Sequence, residues 1–305
     1  MYDSNSKGIS YTAGFFMLIA FTIAGIIFSA EITKMIWVSM TGKSFDLYLS
    51  GAGDPANSNI YKLIQVINML GFFIPSVITA YLLNKHPLKL LGFSSRITIK
   101  QAGVVCFIIA AALFVGGGLS YFNHEIPIPA EWKASFDKLE NTYNEQASAI
   151  LGMKNTGDYI LALLIMGFVP AFCEETLFRG GLQNFLTRST RSPWLAIIVV
   201  SLIFSAAHFS FYGFLFRFFL GATLGLIYYF SGNLWLSILA HFINNAVVVT
   251  VYYIYTQQGK SIPEAMNDSS TSSWGLLALP VLIVLFMAFK RLSYGSELLT
   301  KQTDN

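Results

Sequence analysis

Three short patterns in the middle of this chain put reactive side chains at helical spacing: Glu174-Glu175-x-x-x-Arg179, Phe204-x-x-x-His208 and His241-x-x-x-Asn245. Residues four apart share a helix face, so Glu175 and Arg179 are placed to form an ion pair. Glu174 is turned about 100° from Glu175 and can point elsewhere. One carboxylate neutralised by a guanidinium beside one left free separates a structural acid from a base. His241 and Asn245 stack on one face in the same way. A carboxylate can take a proton from water, a histidine can orient that water or hold a divalent metal, and an amide can donate to an oxyanion. That set suits hydrolysis of an amide bond. No HExxH zinc helix and no GxSxG elbow is present. Glu174, His208 and His241 are therefore permitted as zinc ligands by residue type without being demanded by spacing.

Each pattern alone also has a packing explanation. Both glutamates could mark a membrane edge and pair with Arg179 and Arg217. His208 could be an interfacial residue at a helix end. His241, Asn244 and Asn245 could hold helices together by hydrogen bonds, Asn244 most of all because it lies off the His241 face. For the three patterns together, packing alone would have to bury a carboxylate, two histidines and an amide. The hydrolytic set is the better reading.

The elements that must position these groups are set by composition. Of 305 residues, 54% are hydrophobic and only 11% charged, with a mean hydropathy of +0.58. Soluble domains carry roughly 25% charged residues. Disorder, a coiled coil, a disulfide scaffold and a basic nucleic-acid binder are excluded; the net charge is only +3. The expected fold class is all-α, a polytopic membrane helix bundle of about eight transmembrane helices: Ala13–Ala30, Ile64–Leu83, Ala102–Phe122, Tyr159–Leu177, Pro193–Phe209, Phe214–Phe230, Leu234–Tyr255 and Trp274–Phe289. The first lacks a small-x-small cleavage site and is expected to stay as an anchor. Cys106 and Cys173 lie inside apolar stretches and read as small membrane-facing residues, not a disulfide.

Basic residues orient the bundle. With the N-terminus inside, Lys7, Lys85, Lys89, Arg96, Lys100, Arg179, Arg188, Arg191, Lys290, Arg291 and Lys301 fall on the cytoplasmic side, against seven lysines outside. Both termini are expected in the cytoplasm. The chain reads as one integral membrane domain over residues 1–305, with a motif-bearing core at 159–255 and an external segment at 123–158. That segment is acidic, amphipathic or irregular, and reads first as a plain connector. Every polar motif falls in spans four to seven, where a charge in lipid costs on the order of 3 kcal/mol and so must face protein or water. One strain remains. Glu174 lies near the inner end of its span, whereas His208 is about fifteen residues, roughly 22 Å, into the next. Either that span tilts strongly, Gly180–Ser192 is itself helical, or the span limits are off by a turn or more.

The three motifs, in this order on hydrophobic helices, resemble those of the CPBP intramembrane proteases. That family includes the CAAX prenyl endopeptidases of the Rce type and the bacteriocin-processing or self-immunity (Abi) proteins. The resemblance covers residues 159–250, about a third of the chain. It implies a membrane endopeptidase open to the cytoplasmic side, acting on a membrane-anchored or prenylated protein or peptide, with a bacterial cytoplasmic membrane as its setting. It further implies Glu174 as general base, His208 as its partner on water, and His241 with Asn245 at the oxyanion. Arg179 would brace the motif helix through Glu175. A divalent metal, zinc, or a metal-free glutamate mechanism are both compatible with it.

Two other classes compete. A proton-coupled transporter could use the same acid and histidines as a relay, but the chain shows no inverted repeat and no paired broken helices. A non-catalytic scaffold or immunity protein would keep the fold and tolerate Glu174→Gln.

Overall fold

A computed structural model of the chain describes residues 5–50, 57–94, 97–260 and 272–303; Arg96 lies outside the described residues. The described residues form a helical bundle without strands, apart from one isolated bridge between Ser6 and Asn84. In chain order the helices are α1 (Tyr11–Thr41), the short α2 (Phe45–Leu49), α3 (Ser58–Leu83), the short α4 (Pro87–Leu90), α5 (Ile99–Glu125) and α6 (Ala130–Ile150). There follow α7 (Thr156–Thr190), α8 (Pro193–Ala206), α9 (Phe214–Ser231), α10 (Leu234–Gln257) and α11 (Leu279–Thr303). Local chemistry starts and stops them. Ser10 caps α1, a Thr98–Gln101 capping box opens α5, and Ser192 with Pro193 at the first position opens α8.

Among the described residues, seven helices are long and apolar enough to cross a bilayer. The fifth expected span, Pro193–Phe209, is shorter than expected. α8 has 14 residues, or about 21 Å against a hydrocarbon core of roughly 30 Å. It ends because Phe209 takes a left-handed conformation with φ of 51°, which a helix cannot continue through.

α7 differs the other way. The expected span Tyr159–Leu177 is part of a 35-residue helix reaching Thr190, because no proline follows Leu177 until Pro193 and its polar side chains find partners. Gln183 donates to Gly225 O at 2.9 Å, Asn184 donates to Leu90 O, and Arg188 donates to Asn184 Oδ1 at 2.8 Å. The extension removes the strain noted above. Sixteen residues separate Glu174 from Thr190, about 24 Å of descent; α8 then climbs about 21 Å back, returning His208 to the level of Glu174.

Two apolar cores flank this turn. One joins α1, α3, α7 and α8 through residues such as Leu18, Leu83, Phe178 and Phe204. The other joins α5, α9, α10 and α11 through Ile108, Leu224, Ala240 and Phe289. In lipid the association of helices gains little from the hydrophobic effect and relies on close contact. Gly25 of α1 and Gly71 of α3 supply one: a Cβ on Gly25 would stand 2.6 Å from Gly71 O. Gly25→Leu is therefore expected to push α1 off α3 and destabilise the protein by about 1–3 kcal/mol, read as a lowered unfolding midpoint in detergent.

The end of α3 and the N-terminal segment lie together: Lys7 N donates to Leu83 O and Lys85 N to Asn5 O. Arg188 Nη1 donates to Tyr11 Oη at 3.3 Å. Lys7, Lys85 and Arg188, grouped by the charge argument, thus share one end of the bundle. Cys106 is exposed and Cys173 buried, and both are free thiols, so Cys173 faces protein and not lipid.

Most of the external segment is the 21-residue helix α6. It is docked on the loop between α8 and α9. Ser210 Oγ donates to Glu140 Oε2 at 2.7 Å, Tyr212 Oη donates to Asp137 Oδ1 at 2.5 Å, and Phe136 stacks on Phe211 at 4.8 Å. Lys133 and Tyr212 both donate to Asp137 and hold its carboxyl below the ordinary aspartate range. A depressed carboxyl contributes stability above its unfolded pKa, and loses it as pH falls through the folded value. The docking of α6 is accordingly expected to loosen in acid below the model-peptide value of 3.8, seen as faster amide exchange over residues 130–150 in wild type and no such step in Asp137→Asn.

Candidate active site

The three motifs meet where the two cores join. Glu175 and Arg179 form the expected pair at 2.5 Å, both side chains fully buried. Arg179 is held from two further directions. Its Nη2 donates to Gly221 O at 3.0 Å, and its guanidinium lies 4.8 Å above the Phe204 ring. The small residues Gly221 and Gly225 on α9 also uncover the carbonyls that Arg179 and Gln183 reach.

Sequence spacing did not show where His241 goes. Its Nδ1 is 2.8 Å from Glu175 Oε1, and its Nε2 is 3.9 Å from Glu174 Oε2. Adjacent glutamates about 100° apart on α7 thus flank the two nitrogens of one imidazole. A carboxylate only accepts, so Nδ1 carries its hydrogen toward Glu175, and Nε2 presents a lone pair when the ring is neutral. Glu174 differs from its neighbour. Its side chain is 12% exposed against 0% for Glu175; Oε2 of each is buried with no hydrogen-bond partner, but only Glu175 has its other oxygen engaged, by Arg179 and His241. Arg217 pairs with neither glutamate, so the four-charge membrane-edge arrangement is not formed.

His208 sits in the turn that closes α8. Its Nδ1 is 2.7 Å from Phe204 O; a carbonyl accepts, so Nε2 is the free lone pair. Phe204 is buried between both histidines, its ring centroid 4.9 Å from His208 and 5.8 Å from His241. Sequence reading treated Phe204 only as a motif letter, although an aromatic four residues before a histidine is a signal for such stacking. The turn carries strain at the next residue, Phe209, whose positive φ is an uncommon conformation for a bulky side chain.

Asn245 donates through Nδ2 to Gly167 O at 3.4 Å and accepts from Asn244 Nδ2 at 3.1 Å. Asn244, set aside as packing, is therefore tied to its neighbour. Gly167 belongs to a widened π segment, Leu163–Phe168. The widening precedes Pro170, which has no N–H to donate and crowds the carbonyl four residues back. A second π segment, Thr176–Gln183, follows Glu175. Such segments are frequent at functional sites. Among the described residues no three His, Cys, Asp or Glu side chains are grouped as a metal site requires; Glu174 and His241 come together, and His208 is held through Phe204.

Residues 156–247 match the family described as Type II CAAX prenyl endopeptidase Rce1-like. They form an Rce1-like segment. All the residues named above, from Glu174 to Asn245, fall inside it. The chain is also similar to an uncharacterised protein of Bacillus subtilis (strain 168), YpbD, 37% identical over 89 residues. That stretch is 28% of this chain and 42% of the relative, so the chain spans less than half of the length of the curated relative it matches. No solved structure matches the chain. The Rce1-like segment holds both glutamates, both histidines and Asn245 on α7, the α8 turn and α10, with the rest of the bundle packed around them.

Proposed function

We propose that the chain is an intramembrane endopeptidase that cleaves a membrane-anchored or lipidated peptide with Glu174 as general base. The observation that carries this reading is the contrast between adjacent glutamates. Glu175 Oε1 is shared by Arg179 and His241, whereas neither oxygen of Glu174 is hydrogen-bonded among the described residues and its Oε2 faces His241 Nε2 at 3.9 Å. That distance is beyond a direct hydrogen bond, and a water between the two groups reaches both. Glu174 and the free Nε2 of His208 orient the water, and Glu174 takes its proton as the oxygen attacks the scissile carbonyl. The second N–H of the Asn245 amide, with His241 when protonated, faces the developing oxyanion. The proton on Glu174 then passes to the leaving amine, which closes the cycle.

In this reading Glu175 and Arg179 are supporting residues, fixing the His241 tautomer and the depth of α7. No step is routed through a metal; Glu174, His208 and His241 are the donors a zinc-dependent variant would use. The cytoplasmic placement of both termini belongs to the same proposal and is supported by the shared end of Lys7, Lys85 and Arg188. Neo-N-termini compared between membranes carrying wild type and Glu174→Gln test the reading. Termini formed only with wild type, and formed equally after exhaustive chelation, are expected. Matching profiles overturn the peptidase, and loss on chelation restored by zinc overturns the metal-free mechanism.

A further inference from the structure

Arg217 is the charge in this region that the proposed chemistry leaves unused. It lies three residues into α9, a helix long and apolar enough to cross a membrane. Its Nη1 is buried without a hydrogen-bond partner. It makes no ion pair with Glu174 or Glu175, and the acids that α6 brings nearby are engaged elsewhere: Glu140 by Ser210, Asp137 by Lys133 and Tyr212. What holds Arg217 is shape. The guanidinium lies 5.3 Å from the Tyr143 ring of α6, and Nη1 sits against Gly213, where a Cβ would collide with it.

The start of α9 is also tied to the site. Ser205 Oγ donates to Phe214 O at 2.7 Å, joining the first residue of α9 to the turn that carries His208. An arginine in a membrane bundle with no carboxylate paired to it among the described residues is costly unless something supplies the anion. Its planar fork is the side chain best matched to a carboxylate.

We propose that Arg217, backed by Tyr143, is a specificity-determining subsite for a carboxylate of the bound peptide, lying at the α6-covered end of the site. The inference rests on the endopeptidase reading for its ligand. Its test is a binding measurement, so that the two can fail separately. A peptide library is offered to the protein in nanodiscs as an equal mixture of free acids and isotope-labelled methyl esters, and the captured ratio is read by mass spectrometry. Wild type and Glu174→Gln are expected to capture acids about ten- to a hundredfold over esters. Arg217→Gln should bring the ratio near one. Gly213→Val, which crowds the guanidinium while keeping its charge, should lower it as well.

A ratio near one for wild type, or a wild-type ratio retained in both Arg217→Gln and Gly213→Val, overturns the proposal. Repeating the capture with C-terminal amides, and with Asn and Gln replacing Asp and Glu, tells a terminal carboxylate from a side-chain one. Acid-selective capture by a protein that cleaves nothing would support the subsite and remove the peptidase reading.

Discussion

Glu174→Gln is expected to lower kcat of the purified protein by about 10²–10⁴-fold and to leave its unfolding midpoint in place. The substitution keeps shape and removes only the ability to accept a proton. Because Glu174 Oε2 has no hydrogen-bond partner, no bond that supports the bundle is lost with the charge. Glu174→Asp keeps the base and withdraws it by one methylene, so a partial loss is expected. Kinetics on a cleaved peptide and a melting curve on the same sample check both halves. Turnover within a few-fold of wild type, from a folded sample, would remove Glu174 from the chemistry and shift attention to His208.

The neighbouring residue behaves in the opposite way. Arg179→Met leaves Glu175 buried and uncompensated, and a buried pair broken on one side costs about 3–5 kcal/mol. The loss also reaches His241, whose Nδ1 donates to the same Glu175 oxygen that Arg179 holds. The double variant Glu175→Gln with Arg179→Met removes both charges and is expected to recover part of the stability but not the activity, since an amide no longer fixes the His241 tautomer in one sense. A double-mutant cycle on unfolding free energies measures this. Additive effects would show that the pair is not coupled, contrary to its geometry.

Much of this arrangement was readable from spacing. The i,i+4 relation of Glu175 and Arg179 gave the buried pair, and the polar residues of spans four to seven are the ones from which the candidate site is built. What was not readable depends on contacts distant in sequence. The pairing of His241 with Glu175 crosses 66 residues and has no local signature. The length of α7 was hidden because hydropathy falls after Leu177, although Gln183 and Asn184 satisfy themselves on the carbonyls of other helices. The docking of α6 rests on Asp137–Tyr212 and Glu140–Ser210, partners 75 and 70 residues apart, so an acidic amphipathic stretch read as a connector. The early end of α8 follows from a left-handed phenylalanine, where a sequence signal would have been glycine.

The two wide turns in α7 act as splices in its register. Val169 N–H reaches Leu164 O and Asn184 N–H reaches Arg179 O, five residues back instead of four. Each splice takes up one residue more than a regular turn, so the stripe that faces inward is advanced by about 100°. Before the site α7 presents Gly167 O to Asn245 on α10; after it, Arg179 and Gln183 reach α9. A single continuous rod thereby changes the neighbour it reads, and the seven residues Val169–Glu175 between the splices are the stretch whose facing is set independently of both ends.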